Sequence, residues 1–318
     1  MSPPPTASTG PAGPVDHRRT AELLDAELPA LRFRDGTFLE WLYDENPLGP
    51  GIHESIDDEG VRVAHYGLIP QEYRSQEGPA PFVFSLNAVT RSGLQRKGYF
   101  SQIGQRIWAE AAERGVIGVV GVTNDRSLKP VVRLGWRFIG RLPVLVVPPS
   151  PVPLGRVEHH PVTDAWLASD EAARALGDLD AHEALGWTNR WTLEHLRWRL
   201  AWPGCGPYTV HVSASIVAVT VCERVAGVPV VVVLKLAPRA GARLPRSGWP
   251  VISAACRHHR SPVAVYAGFN RHVRVRGLPA PDSVKPAPLN LMVHSVSPGL
   301  DQERFALDTF EFLDMDAF

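Results

Sequence analysis

The sequence is short of the residues that bring redox chemistry to a protein, with three cysteines and three methionines in 318 residues. Cys205, Cys222 and Cys256 are odd in number, far apart and without a C-x-x-C pair. That excludes a disulfide framework and a cysteine metal knot, and reads as buried free thiols in a reducing cytoplasm. Lysine is scarcer than its partner cation: Lys97, Lys129, Lys235 and Lys285 are the only ones among 33 basic residues. Those 33 are matched by 33 acidic residues, and zero net charge argues against a nucleic-acid or membrane-surface footprint. No run of 18 apolar residues is present to span a membrane. Residues 1–14 are rich in proline and lack both a charged region and an apolar core, so they read as a disordered tail and not a leader. Neither common nucleotide loop, G-x-x-x-x-G-K-S/T or G-x-G-x-x-G, occurs. His159-His160 and His258-His259 lack spaced partner ligands, and no metal site is expected from them.

What is present is a globular composition, 44% hydrophobic and 21% charged, in a chain long enough for two domains. The most informative stretch is 86–101, LNAVTRSGLQRKGYFS. An apolar strand runs into a basic, glycine-containing turn that opens an amphipathic helix with the stripe Phe100, Ile103, Ile107, Trp108 and Ala111. Backbone N–H groups at such a turn and at the start of a helix cradle phosphate. Gly98 allows close backbone approach, and Arg91, Arg96 and Lys97 add positive charge. The implied ligand carries a pyrophosphate.

Gln95-Arg96-Lys97-Gly98-Tyr99-Phe100 resembles the Q/R-x-x-G-x-G/A signature of the GNAT acyltransferases. The flanks are similar too: a strand over 117–122 leading to Asn124, then a short helix with Ser127 that ends at Gly135-Trp136. Upstream, the W-x-Y-x-x-N-P segment at Trp41, Tyr43, Asn46 and Pro47 and the Ala64-His65-Tyr66-Gly67 segment look like one branch of that family. The resemblance covers residues 30–150 best. Two positions depart from it: Phe100 stands at a Gly/Ala position, and Val131 stands about where a tyrosine often protonates the leaving thiolate.

The spacing predicts helices over 17–31, 35–46, 99–114 and 126–134, and strands over 61–69, 82–89, 117–122 and 138–147. Residues 149–162 read as a proline-rich linker. Beyond it, 191–204 echoes 37–49, and strands over 208–213, 216–224 and 228–236, a helix over 248–259 and a strand over 263–268 repeat the first order. Residues 305–318 read as a closing strand. The expected fold is therefore mixed α/β, with two GNAT-like domains, each a central mixed β-sheet flanked by helices. Their expected bounds are a tail at 1–15, a donor-binding domain at 16–148, the linker at 149–162 and a degenerate second domain at 163–318. The second half has no counterpart of the basic turn, and Pro238 and Pro245 remove donors there.

The resemblance implies a cytoplasmic enzyme moving an acyl group from acetyl-CoA or another acyl-CoA to a small-molecule amine, with specialised metabolism as its setting. A carrier-protein-bound acyl-phosphopantetheine offers the same arm, which would make an acyl carrier protein a partner. Aminoacyl-tRNA is disfavoured by the zero net charge. A non-catalytic acyl-CoA-binding module is the alternative that Val131 keeps open. The donor is expected on Ala88, Val89, Thr90, Gln95, Arg96, Lys97, Gly98, Tyr99, Phe100, Ser101, Asn124 and Ser127. An amine with a pKa near 10 needs a base or relay, and His65, with Asn87 orienting, is the candidate. Trp41, Tyr43, Asn46, Tyr66 and Ser85 could line the acceptor pocket.

Overall fold

Two runs of alternating side chains, closed by the two-residue turn Gln76-Glu77, form the hairpin of β3 (Val61–Ser75) and β4 (Gly78–Thr90). The computed structural model that contains them describes residues 7–8, 14–28, 33, 36–180, 183–202, 207–239, 241, 246–281 and 288–315. On one side β3 pairs with β2 (Ile52–Asp58), which carries the two-residue β1 (Ala7–Ser8). On the other, β4 pairs in parallel with β5 (Gly118–Thr123) through the crossover helix α3 (Tyr99–Glu113). Helices α1 (Pro14–Glu27) and α2 (Thr37–Asp44) precede the sheet, and α4 (Asp125–Arg133) and β6 (Arg137–Arg141) follow β5.

The chain then changes sheets. β7 (Val144–Val147) joins a second sheet that contains β8 (Val157–Pro161), β10 (Tyr208–Ser213), β11 (Ile216–Val225), β12 (Val228–Pro238), β14 (Ala264–Asn270) and β16 (Leu278–Pro279). Its parallel pair, β12 with β14, is again bridged by a helix, α8 (Trp249–His258). The short helices α5 (Asp164–Leu167), α6 (Asp170–Leu176) and α7 (Leu193–Leu200) lead into this sheet, and β9 (Thr188–Asn189) pairs back onto β3. β13 (Arg246–Ser247) pairs with β15 (Val273–Arg274). β17 (Asn290–Ser295) returns to the first sheet between β5 and β6, and β18 (Thr309–Glu311) pairs with β14. The result is two mixed sheets flanked by helices, the expected fold class. Among the described residues, no helix is long and apolar enough to cross a membrane.

The strand exchange departs from the expected bounds. The single strand expected over 138–147 is two, because Leu142-Pro143 breaks the ladder where the chain crosses between sheets. The expected linker holds β8, and the Ser150 amide donates to Ser253 Oγ at 2.9 Å. Only Thr309–Glu311 of the expected closing strand is extended; the last strand to join the first sheet in chain order is β17, inside it. Ala7–Ser8 pairs within the expected disordered tail, while Asp35, where the second helix is expected to begin, Cys205 and Pro245 lie outside the described residues.

The echo between 37–49 and 191–204 is a structural one. Trp41 of α2 stacks on Trp198 of α7, with ring centroids 4.5 Å apart and 14° between planes, and on Trp202 at 5.4 Å. Phe38 stacks on Trp202 at 4.9 Å. Trp41 is thus part of the seam between the halves. Removing such a ring from a packed seam costs about 3–5 kcal/mol. Trp198→Ala is expected to lose that much in denaturant unfolding, with both sheets melting together because one core runs through both halves.

Burial also sets a pH dependence. Mainly through burial, the pKa of His53 falls to about 4, His159 to about 4 and His195 to about 3, and His65 and His211 lie well below the usual imidazole range. These rings are neutral in the folded chain but take up a proton near pH 6.5 when released. Between about pH 6.5 and about pH 4 the unfolded chain binds more protons, so stability falls as pH falls. Glu311, which burial pushes up to about 7, acts in the opposite sense, but stands alone against these histidines. The thermal midpoint is expected to drop by several degrees between about pH 7.5 and about pH 5; an unchanged midpoint would contradict the buried neutral rings.

Candidate functional site

The parallel ladder of β4 and β5 runs from Phe82 opposite Gly118 to Ser85 opposite Gly121 and stops, although both strands continue. A bulge follows at once. The β3–β4 register shifts between His65 and Gly67, and Asn87 takes φ 52°, a left-handed conformation that Asn tolerates better than most residues. The edge of β4 beyond Ser85 that faces β5 therefore has no ladder partner. Ala88 is exposed there, and Val89 and Thr90 are half-buried.

This open edge leads into the basic turn. The Leu94 amide donates to Arg91 O at 3.0 Å, and the Gly93 amide donates to Gln95 Oε1 at 2.9 Å. Gln95 Nε2 reaches Thr90 O at 3.5 Å, so Gln95 braces the turn from inside. The Arg91 fork donates to Arg62 O, and Glu27 accepts from the Ser92 amide at 2.8 Å and hydroxyl at 2.6 Å. Gly98 is the N-cap of α3 with φ 82°, and no side chain caps the helix. Arg96 and Lys97 are exposed and have no ion pair among the described residues. Tyr99 turns into the core, Phe100 packs on Tyr66 with centroids 5.1 Å apart, and Ser101 stays half-exposed. The uncapped amides at the start of α3 and the two exposed cations thus lie together at the end of the open edge of β4.

At the end of β5, Asn124 caps α4, its Oδ1 accepting from the Ser127 amide at 3.1 Å. One of its polar groups is thus spent locally. Val131 is buried in the cluster that holds Trp136 and Met292, so no acid occupies that position.

The acceptor-side candidates fall into two groups. Asn87 Nδ2 donates to the Tyr43 hydroxyl at 3.1 Å, and that hydroxyl lies 3.0 Å from His65 Nε2. His65 Nδ1 lies 2.9 Å from Ser55 Oγ. Gly67 makes room for this hub, since a Cβ there would stand 2.2 Å from the Tyr43 hydroxyl. His53 stacks on the Tyr43 ring at 4.3 Å, and His17 lies 2.8 Å from Asp44 behind it. Tyr66 and Ser85 belong instead to the α3 side: their hydroxyls are 2.8 Å apart, and Trp108 Nε1 donates to Tyr66 at 3.4 Å. Simple alternation would put Ser85 and Asn87 on one face, and the bulge separates them. Asn46 is a loop tie, with its amide donating to Pro70 O at 3.1 Å and its oxygen accepting from the Leu48 amide at 2.9 Å. Ser55 and His53 escaped sequence reading because β2, IHESIDD, shows no clean apolar alternation.

The second half repeats the device and fills it. The parallel ladder of β12 and β14 ends at Val233 opposite Tyr266, with a bulge beside it. Asn270 Nδ2 then donates to Leu236 O at 2.7 Å, and the Leu236 amide donates to Glu311 Oε2 at 3.4 Å. At the start of α8, the Gly248 amide donates to Arg274 O at 3.0 Å, the Trp249 amide reaches Ser247 Oγ at 3.4 Å, and Pro250 has no donor. The start of α8 thus keeps fewer free amides than the start of α3 among the described residues.

No family model and no curated protein matches this sequence. Solved structures do match it in fold. A GCN5-related N-acetyltransferase from Anabaena variabilis superposes with a TM-score of 0.62 at 10% identity, over 92% of this chain and 73% of that one. Eis1 from Mycobacterium abscessus gives 0.56 at 12% identity, over 92% and 73%. A tandem GNAT protein from the clavulanic acid biosynthesis pathway gives 0.52 at 11% identity, over 90% and 95%. The fold of this chain is that of the GNAT acetyltransferases in tandem.

Proposed function

We propose that the first half of the chain is an acyltransferase that takes an acyl group from a phosphopantetheine thioester, acetyl-CoA or another acyl-CoA, and passes it to the amine of a small-molecule acceptor. The carrying observation is the contrast between the two gaps. One leads along an unpaired edge of β4 to an uncapped basic turn; the other is filled by Asn270 and Glu311. In this reading the thioester's arm pairs with β4 at 88–90. Its phosphates meet the amides at Gly98–Ser101, with Arg96 and Lys97 balancing their charge. A carrier-protein-bound donor offers the same arm with one phosphate and fits the same groups.

In acyl transfer, the acceptor nitrogen forms a bond to the carbonyl carbon as the carbon–sulfur bond breaks, and the amine gives up a proton. The buried Val131 provides no acid, so the sulfur leaves as thiolate. His65 is 1% exposed with both nitrogens engaged, and burial makes it a weak base. We assign it, with Tyr43, the positioning of Asn87, and leave the amine proton to water held at Asn87.

The donor site is tested by the thermal midpoint with and without CoA and acetyl-CoA. Ligand at about 100 times its Kd adds about 2.7 kcal/mol, a rise of a few degrees. Gly98→Asp, which places a side chain at φ 82° and a negative charge in the cradle, is expected to abolish the rise while folding normally. No rise in wild type with either ligand would remove the CoA reading and leave carrier-protein thioesters as the donor to try. The positioning role is tested separately: Tyr43→Phe keeps the ring but strands Asn87 and His65. It should lower kcat by about 100-fold, the cost of misplacing a group near the reacting atoms, with the CoA-induced rise intact.

A further inference from the structure

We propose that His17, Asp44 and His53 form a binding site for a divalent transition metal of the zinc type. The three residues come from separate elements, α1, the last residue of α2 and the second residue of β2, and their ligand atoms all lie within 4.8 Å of one another. His17 Nε2 and Asp44 Oδ2 are 2.8 Å apart. Two atoms bound tetrahedrally to one ion at about 2.0–2.2 Å stand about 3.4 Å apart, so this pair needs to open by only about half an ångström to become a ligand pair.

An ordinary ion pair would explain His17 and Asp44 but not His53. The His53 ring makes no side-chain hydrogen bond among the described residues, and it is fixed by stacking on Tyr43 at 4.3 Å and by the His17 ring at 5.5 Å. The nearby Arg62 does not repel a cation outright, because it is paired with Asp16 and with Asp57 at 3.1 Å. Two imidazoles and a carboxylate are a donor set suited to zinc and its neighbours in affinity order. Asp44 is 44% exposed, so the remaining positions open to water. An ion here ties α1 and α2 to β2 and clamps the Tyr43 ring, whose hydroxyl holds Asn87. The sequence reading expected no metal because it weighed only the adjacent histidine pairs, and these three residues are 36 positions apart end to end. The site does not depend on the acyltransferase reading.

The test is calorimetric titration of untagged, EDTA-stripped, dialysed full-length protein with zinc chloride, followed by the thermal midpoint with and without zinc. One ion per chain, at micromolar affinity or tighter, and a raised midpoint are expected. His53→Ala and Asp44→Asn should each weaken binding at least about tenfold. Asp44→Asn keeps size and sits half-exposed, so its midpoint in EDTA should match wild type and separate lost binding from lost folding. His258→Ala, in the other histidine cluster of the chain, should bind as wild type does. No stoichiometric binding by wild type, or undiminished binding by both His53→Ala and Asp44→Asn, overturns the proposal.

Discussion

A parallel strand pair that opens along its length needs something beyond it to keep the outer strand in place, and here the chain meets that need by exchange. The far side of β5 is paired by β17, from Asn290 opposite Thr123 to Ser295 opposite Gly118. The far side of β14 is paired by β7, from Val147 opposite Ala264 to Val144 opposite Ala267. Each outer strand is thus held by a segment that belongs, in chain order, to the other half. Without it β5 would be an edge with unpaired backbone groups, free to slip or to pair elsewhere. The exchange also joins the cores. Leu291 and Val293 of β17 pack in the cluster that runs through the tryptophan seam, while Met292 packs beneath α3. Neither half has a complete sheet alone.

Within that frame, the same gap is put to two uses. In the second half it is closed by polar groups: Asn270 and Glu311 take the two free backbone groups of Leu236. Filling it this way buries charge. Lys235 Nζ lies 2.7 Å from Asp314 and 3.2 Å from Glu311, all three enclosed. One cation between two carboxylates leaves an excess of negative charge, and burial answers by raising Glu311 toward its protonated form. Trp191 Nε1 donates to Asp314 at 2.8 Å and stacks on His195, which stacks in turn on Trp198. The plug is therefore anchored in the seam. Such a cluster is costly to break and adds little by forming, so its effect is to hold one arrangement.

The parts legible in the sequence were those governed by local rules. The amphipathic stripe of α3 and the positive-φ glycine that opens it follow from spacing and residue type, and so does the echo of 37–49 in 191–204. What was not legible depended on partners far away in sequence. The strand 290–295, NLMVHS, is missing from the expected elements, and nothing local in it says that it lies between β5 and β6. The split at Leu142-Pro143 follows from that destination. The bulge was hidden for a related reason. Alternation counts residues evenly, and one extra residue at 87 sends Ser85 toward Tyr66 and Asn87 toward Tyr43. Asn46 looked like a ligand contact because its role, tying Pro70 and Leu48 together, appears only once the loop has folded.

The difference between an open gap and a filled one comes down to what stands at the bulge. A left-handed residue without glycine's freedom costs on the order of 1–2 kcal/mol and persists only where its surroundings over-determine it. Asn87 meets that condition twice: its backbone tolerates φ 52°, and its side chain donates to a Tyr43 hydroxyl already fixed by His65, Ser55 and the space left at Gly67. The bulge in β12 falls at Leu234, which is fully buried in the shared core and needs no polar support. An apolar residue there can only pack, and packing draws the two halves together. An asparagine there must be hydrogen-bonded, and the hub that satisfies it keeps a polar group fixed beside an unpaired strand edge. The first gap stays open beside a polar bulge, and the second is closed by Asn270 and Glu311 where its bulge packs in the shared core.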